Sequence, residues 1–529
     1  MQSFNDQANP PPRFPLIIDN FAGGGGASTG IEMALGRSPN FAINHDPEAL
    51  CMHESNHPET VHLCESVWDV DIAETVAGPR RASAAFTRAS SSLGPPSLVA
   101  LSFLNAGFGG LVLTVKSDET EHWTEYARQT GRAKDLIIFN AGRLSFDPLA
   151  YTWNIPGRSA AHIETIVELF TTLMAVGKVY QPSSGERYFE QAVEELMRAV
   201  LIVLSNAGEP ISITAIHKVV CSPPVEREQV DAQAWQESSE CSRVISKLRE
   251  RRTNFTPTQW DDLDIAIVYL LEKWPSLDPR TRSNVESTWS GMASKFTYSP
   301  FREMFCSGRV DFTPEQTTHE RKIVIVDMPI LEYGRETARL CQVLVKIIFQ
   351  RAWLRHQYKL GCCHGAFLFQ DEFALLMHRH EAQFHMVCRS SGIAPICITP
   401  NILNIAAEEF GEQTPGSKTL GFLGLLSVKI FHANNETQTN EYAANQIGRE
   451  YRYVDSWNAG AGETRNHTGI SGSKQLVHLL EPIEFTRLMK PDSENPLSEA
   501  ICYMSGRTFN ATRTGNSRGL PYLRVHFSR

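Results

Sequence analysis

A chain of 529 residues has room for two to four domains. Its composition, 42% hydrophobic and 21% charged, is that of an ordinary globular protein and excludes the collagen-like, low-complexity and wholly disordered classes. A net charge of −9 gives no general positive field for nucleic acid, so any DNA contact must come from a local patch or a pore loop.

The N-terminal stretch MQSFNDQANPPPRFP is polar and Pro-rich, unlike a signal peptide, and no apolar run reaches the ~18–20 residues that span a bilayer. Eleven cysteines occur without a CxxC pair, and Cys362 and Cys363 are adjacent rather than spaced as zinc ligands. An odd total argues against a secreted disulfide scaffold, and a reducing cytosol fits best. The expectation is a cytoplasmic chain that reaches the inner membrane only peripherally, through a partner.

The first patterned segment, LIIDNFAGGGGASTGIEMAL, reads as a strand, a glycine-rich turn and a helix from Thr29 to Leu35, followed by the short strand FAIN. Glycine lets the backbone approach a ligand and a helix start offers free N–H groups, but a flexible turn accounts for the glycines equally well. Asp19, Phe21, Gly23, Gly25 and Gly26 have the spacing D-x-F-x-G-x-G-G, followed by FAINHDPEAL and SNHPET. This combination resembles the S-adenosylmethionine-binding start of phage-type DNA cytosine-5 methyltransferases, over residues 1–78. The resemblance implies a partial Rossmann-like βαβ fragment in which Phe21 packs on the cofactor and the backbone at Gly23 to Gly25 holds its amino-acid moiety. Asn44, with Asp46 close by, would stand where a carboxylate usually meets the ribose. Ser66 stands where an acid usually contacts the adenine. Cytosine methylation also needs a cysteine nucleophile from a Pro-Cys loop, and no Pro-Cys pair occurs in the chain.

Residues 79–96, PRRASAAFTRASSSLGPP, have almost no large apolar side chains and no hydrophobic period, which reads as a linker or junction. Patterned α/β sequence resumes at Ser97. GGLVLTVK, DLIIFN, KIVIVDMP, GAFLFQDEF, APICITP and SVKIFHAN are short apolar runs of the kind expected of parallel strands covered on both faces. Helical periodicity dominates from about 155 to 300, as in FEQAVEELMRAVLIVLSNA, and predicts an all-α subdomain inserted into an α/β core.

GAFLFQDEF ends in adjacent carboxylates. In an ATPase the first, Asp371, would hold Mg through water and the second, Glu372, would orient the attacking water. Taken alone, the motif is as well explained by an ordinary strand with a solvated end. The order KIVIVDMPI, a long helix, FLFQDEF, a second helix with Arg389, then ICITPN is similar to the TraG/TraD class of type IV secretion coupling proteins, in the HerA/FtsK group of RecA-like hexameric motors. This likeness covers residues 97–529 and implies an ATP- and Mg-dependent DNA translocase. Its partners would be DNA, relaxosome or type IV secretion proteins, and five further copies in a homo-hexamer. Arg389 is a candidate for the arginine that a neighbour contributes, although a surface helix arginine is the commoner explanation.

Two departures weaken the nucleotide site. No G-x-x-x-x-G-K-[ST] string exists; where it belongs, Gly94 and Ser97 flank Pro95 and Pro96, which supply neither charge nor N–H to a phosphate. Pro400 stands where a γ-phosphate-sensing glutamine would end ICITPN. The expectation is therefore an ATPase relative impaired in hydrolysis. The alternatives are a methyltransferase relative without its catalytic loop and a non-catalytic assembly subunit.

Overall fold

The structure, a computed structural model, describes residues 18–19, 26–35, 38–39, 41–44, 46–64, 95–156, 159–176, 184–355, 364–462, 465–490, 497–509 and 519–528. Phe21, Gly23, Gly25, Ser66, Gly94 and the stretch 79–94 lie outside these residues. Two compact units divide the chain, Met1–Ser91 and Ser92–Arg529.

In the first unit, strands β1 (Ile18–Asp19), β2 (Phe41–Ile43) and β3 (Val61–Leu63) form a parallel sheet in that order. Helix α1 (Gly26–Leu35) connects β1 to β2, and α2 (Pro47–Asn56) connects β2 to β3. This is the βαβ arrangement of a small Rossmann-like fragment.

The second unit is built on a five-stranded, wholly parallel sheet. Its strands are β4 (Gly109–Leu113), β5 (Leu136–Phe139), β6 (Ile323–Val326), β7 (Ala366–Gln370) and β8 (Ile393–Cys397), in the spatial order β5-β6-β4-β7-β8. Every residue of β4, β6 and β7 is buried, because helices cover both faces. One face carries Val112, Ile323, Ile325, Phe367 and Phe369. These pack on α3 (Pro95–Asn105) and α4 (Glu119–Gln129) through Ala100, Leu104, Trp123 and Tyr126. The alternate residues Leu111, Leu113, Val324, Val326 and Leu368 face the other core, shared with α5 (Arg335–Arg355) and with the helical insertion. That insertion runs from Ser159–Ala175 to Pro279–Ala293 and has Phe170, Val200 and Trp289 at its centre.

At Gly110 of β4, a Cβ would meet the carbonyl oxygen of its β7 partner Phe367 at 2.5 Å. Only glycine lets the two strands pair at this register.

SVKIFHAN departs from the expectation of a core parallel strand. It forms β9 (Val428–His432), an edge of a separate three-stranded sheet, where it pairs antiparallel with β12 (Leu497–Met504), which in turn pairs with β13 (Tyr522–Ser528). Val428 and Ile430 are 48% and 42% exposed, so the apolar run is not covered on both faces. Between β9 and β12 the chain makes a two-stranded ribbon of fourteen-residue strands, β10 (Arg449–Gly462) and β11 (Arg465–His478). Among the described residues no helix is long and apolar enough to cross a membrane.

Candidate functional site at the carboxyl edge of the parallel sheet

Neighbouring strands β4 and β7 send their chains to opposite faces. After β4 the chain enters α4 on one face, whereas after β7 it enters α6 (Glu381–Val387), whose Phe384 belongs to the core of the other face. A reversal of this kind opens a crevice at the carboxyl ends of the two strands, the usual ligand position in open α/β sheets. The adjacent carboxylates lie there: Asp371 follows β7 directly, and Glu372 takes the left-handed conformation with φ of 49°. That conformation costs a non-glycine residue ~1–2 kcal/mol and turns the chain sharply away from the strand. Phe373, Leu376 and Met377 are buried just beyond and over-determine the turn.

Lys116, three residues beyond β4, donates from Nζ to Asp371 Oδ2 at 2.7 Å. Glu119, in the first turn of α4, reaches back so that its Oε2 accepts from the backbone N–H groups of Val115 at 2.8 Å and Lys116 at 3.4 Å. The Asp371 carboxyl lies beside that of Glu119. Burial, then the neighbouring Asp371 carboxyl, push the Glu119 carboxyl up to about 8, against the opposing backbone N–H groups. Burial acts on Asp371 in the same sense but is outweighed by Glu119 and Lys116, and its carboxyl is held below the usual range. Burial and the Asp371 charge raise Glu372. Glu119 is thus held above its ordinary range and Asp371 below it, with the Lys116 ammonium beside them.

Two further ends of strands complete the rim. Asp327 follows β6, and its oxygens accept from Thr120 Oγ1 at 2.9 Å and Asn140 Nδ2 at 3.2 Å. Beneath the rim, Gln342 of α5 donates to the Thr114 carbonyl at 2.7 Å and the Met328 carbonyl at 3.1 Å, clamping the exits of β4 and β6. Below the acid turn, Lys346 and Glu381 form a wholly buried ion pair at 2.6 Å, and Lys346 also donates to the Leu376 carbonyl at 2.8 Å.

Ser97, Arg389 and Pro400, the other described residues singled out in the second unit, have surroundings of their own. Ser97 lies in the first turn of α3, buried, with its Oγ 2.7 Å from the Tyr126 hydroxyl. Arg389 is exposed in the turn Cys388–Ser391 that precedes β8. It thus sits at the amino edge of a sheet whose carboxyl edge carries Asp371. The Pro400 carbonyl accepts from Asn434 Nδ2 at 2.9 Å. In the first unit Asp19 ends β1 and Gly26 opens α1. Asn44 Oδ1 accepts from the Asp46 N–H, and Asp46 in turn accepts from the Glu48 N–H, so both side chains serve the start of α2. Ser28, His53 and His62 there form a hydrogen-bonded chain of two 2.8 Å contacts.

The sequence reading missed Lys116, Glu119 and Asp327. A lysine and an acid after a buried strand are ordinary surface residues in sequence. Only the pairing of β4 beside β7 makes them neighbours of Asp371.

No family model matches the chain, and no curated protein sequence matches it. Among solved structures, the bacterial conjugative coupling protein TrwBdeltaN70 in its unbound monoclinic form superposes with a TM-score of 0.52 at 12% identity, covering 81% of this chain and 80% of that one. This is the coupling-protein fold, RecA-like. The trigonal form of the same coupling protein, in complex with sulphate, gives a TM-score of 0.50 with the same identity and coverage.

Magnesium and ATP are what the resemblance read from the sequence implies. The carboxyl-edge donors fit the metal end of such a ligand, since Asp371 and Glu372 are hard oxygen donors beside a cation that can face phosphate. The start of α3 fits the phosphate end poorly. Its first two residues, Pro95 and Pro96, have no N–H, and the Ser97 hydroxyl is already bonded inside the core.

Proposed function

We propose that this chain is a relative of the conjugative coupling ATPases, built on their DNA-translocating scaffold, whose grip on the triphosphate is weakened so that it hydrolyses ATP slowly or not at all. The observation that supports this most directly is the cluster of Asp371, Glu372, Glu119 and Lys116 at the switch point between β4 and β7. Paired acids there suit a metal-bound triphosphate, while the two prolines that open α3 remove amides that would otherwise hold its phosphates. In this reading the partners are DNA, relaxosome or type IV secretion proteins, and further copies of the chain in a hexameric ring. Arg389, exposed at the opposite edge of the sheet, would act on a neighbouring copy. Any membrane association would run through those partners.

Calorimetry of the full chain with ATP and Mg, followed by a phosphate-release assay with and without DNA, tests the proposal. The expected result is binding in the high-micromolar to millimolar range with turnover well below the ~1 s⁻¹ lower end of ordinary enzymes. Turnover at ordinary rates would contradict the impairment. Complete absence of binding would leave the scaffold reading without its ligand and favour an assembly subunit that uses the fold for oligomerisation.

A second reading concerns the first unit alone, where a parallel βαβαβ sheet with a helix opening at Gly26 supports an S-adenosylmethionine-binding fragment. Cofactor binding by calorimetry, with no methyl transfer to cytosine, is its expected signature.

A further inference from the structure

We propose that Lys116 is the residue that meets the terminal phosphates of a bound nucleoside triphosphate, changing partner from Asp371 to phosphate, and so takes the part a phosphate-loop lysine would play. The proposal rests on the triphosphate reading of the crevice and adds to it the change of partner by which its cation acts.

Three observations carry it. Lys116 follows β4, the strand beside that of Asp371, at the point where the chains diverge to opposite faces, so its ammonium lies 2.7 Å from Asp371 Oδ2. It is also the more accessible member of the pair: its side chain is 56% exposed while Asp371 is 16% exposed. Lys346 shows the contrast, since it is wholly buried and fixed by Glu381 and the Leu376 carbonyl, so it cannot leave its place. A lysine on a flexible four-carbon stem can exchange one anionic partner for another of greater charge, and a triphosphate offers far more negative charge than one carboxylate. Finally, the backbone of Lys116 is anchored independently of its side chain. Its N–H and that of Val115 are bound to Glu119, which fixes where the stem begins.

A metal and the Lys116 ammonium compete for Asp371, yet they cooperate once a triphosphate is present. Removing the lysine should therefore move the two affinities in opposite directions. The experiment compares the full chain with its Lys116→Met and Lys116→Arg variants, titrating Mn²⁺ alone by water-proton relaxation and Mn²⁺ with a non-hydrolysable ATP analogue by calorimetry. Lys116→Met is expected to bind Mn²⁺ alone several-fold more tightly and the metal–nucleotide pair at least tenfold more weakly. Lys116→Arg is expected to stay within about threefold of the parent for the pair, since it keeps the charge. Circular dichroism spectra and melting temperatures matching the parent exclude misfolding, and Lys116→Gln replaces Lys116→Met if the latter is unstable. If Lys116→Met binds Mn²⁺ more tightly and the nucleotide equally well, Lys116 is an internal counter-ion and the proposal fails while the nucleotide site stands. If the parent chain binds Mn²⁺ but no nucleotide, the triphosphate reading itself has failed and this proposal falls with it.

Discussion

Replacing Lys346 by methionine removes one member of a buried ion pair and keeps most of its volume. Lys346 is fully buried, Glu381 is 1% exposed, and their charged atoms are 2.6 Å apart. Breaking such a pair from one side costs about 3–5 kcal/mol, because the remaining charge stays buried without its partner. The Leu376 carbonyl loses its 2.8 Å donor as well, a penalty of ~1–3 kcal/mol if nothing replaces it. Part of this is recoverable. The His378 and His385 rings lie 3.2 Å and 3.4 Å from Glu381 oxygens. Burial, opposed by Glu381 but reinforced by the Lys346 charge, pushes His378 down to about 3, so removing Lys346 lets its pKa rise. A histidine held below its unfolded value near 6.5 costs stability as pH falls towards the folded value, and that cost shrinks as its folded pKa rises.

The expected outcome for Lys346→Met is a loss of about 4 kcal/mol at pH 8, shrinking as the pH is lowered to 6. Urea titration followed by tryptophan fluorescence and far-ultraviolet dichroism measures it. The double variant Lys346→Met/Glu381→Met removes both charges and should recover at least half the loss. A single-variant loss below ~1 kcal/mol, or a double variant less stable than the single, would refute the reasoning that Glu381 depends on this lysine for its charge. Because Lys346 holds the segment that follows Glu372, the single variant should also weaken whatever binds the acid pair.

Three further outcomes follow from the same geometry. Gly110→Ala drives a methyl group to 2.5 Å from the Phe367 carbonyl oxygen, so it should cost about 2–3 kcal/mol by parting β4 from β7, read as a lower urea midpoint. Asp147 accepts from Leu149, Ala150 and Gly308 N–H groups at 3.0 Å each, so Asp147→Ala should lose about 2–3 kcal/mol, measured in the same way. Glu119, raised to about 8, binds its proton more tightly in the folded chain than in the unfolded one. Its contribution to stability is complete below about 4.5 and is lost as pH rises towards 8. Glu119→Gln should therefore flatten the stability profile between pH 5 and 8, and a variant with the parent's slope would show that another group sets it.

The amino-acid sequence was informative wherever burial leaves a local signature. The apolar runs GGLVL, IVIV and AFLFQ identify strands that helices cover on both faces, and the Asp371–Glu372 pair at the end of one of them marks the crevice. The same signature misjudged β9, since an apolar run reports that a strand packs somewhere but not which sheet it joins or whether both faces are covered. The tertiary structure alone decided the order β5-β6-β4-β7-β8, and with it that Lys116 meets Asp371 from 255 positions away. It also decided that Lys346 and Glu381, charged residues on helices that would pass for surface positions, lie at full burial against one another. Periodicity is a property of a dozen neighbouring residues. Strand order and charge pairing arise from contacts between distant ones, whose free energy has no trace in the local pattern.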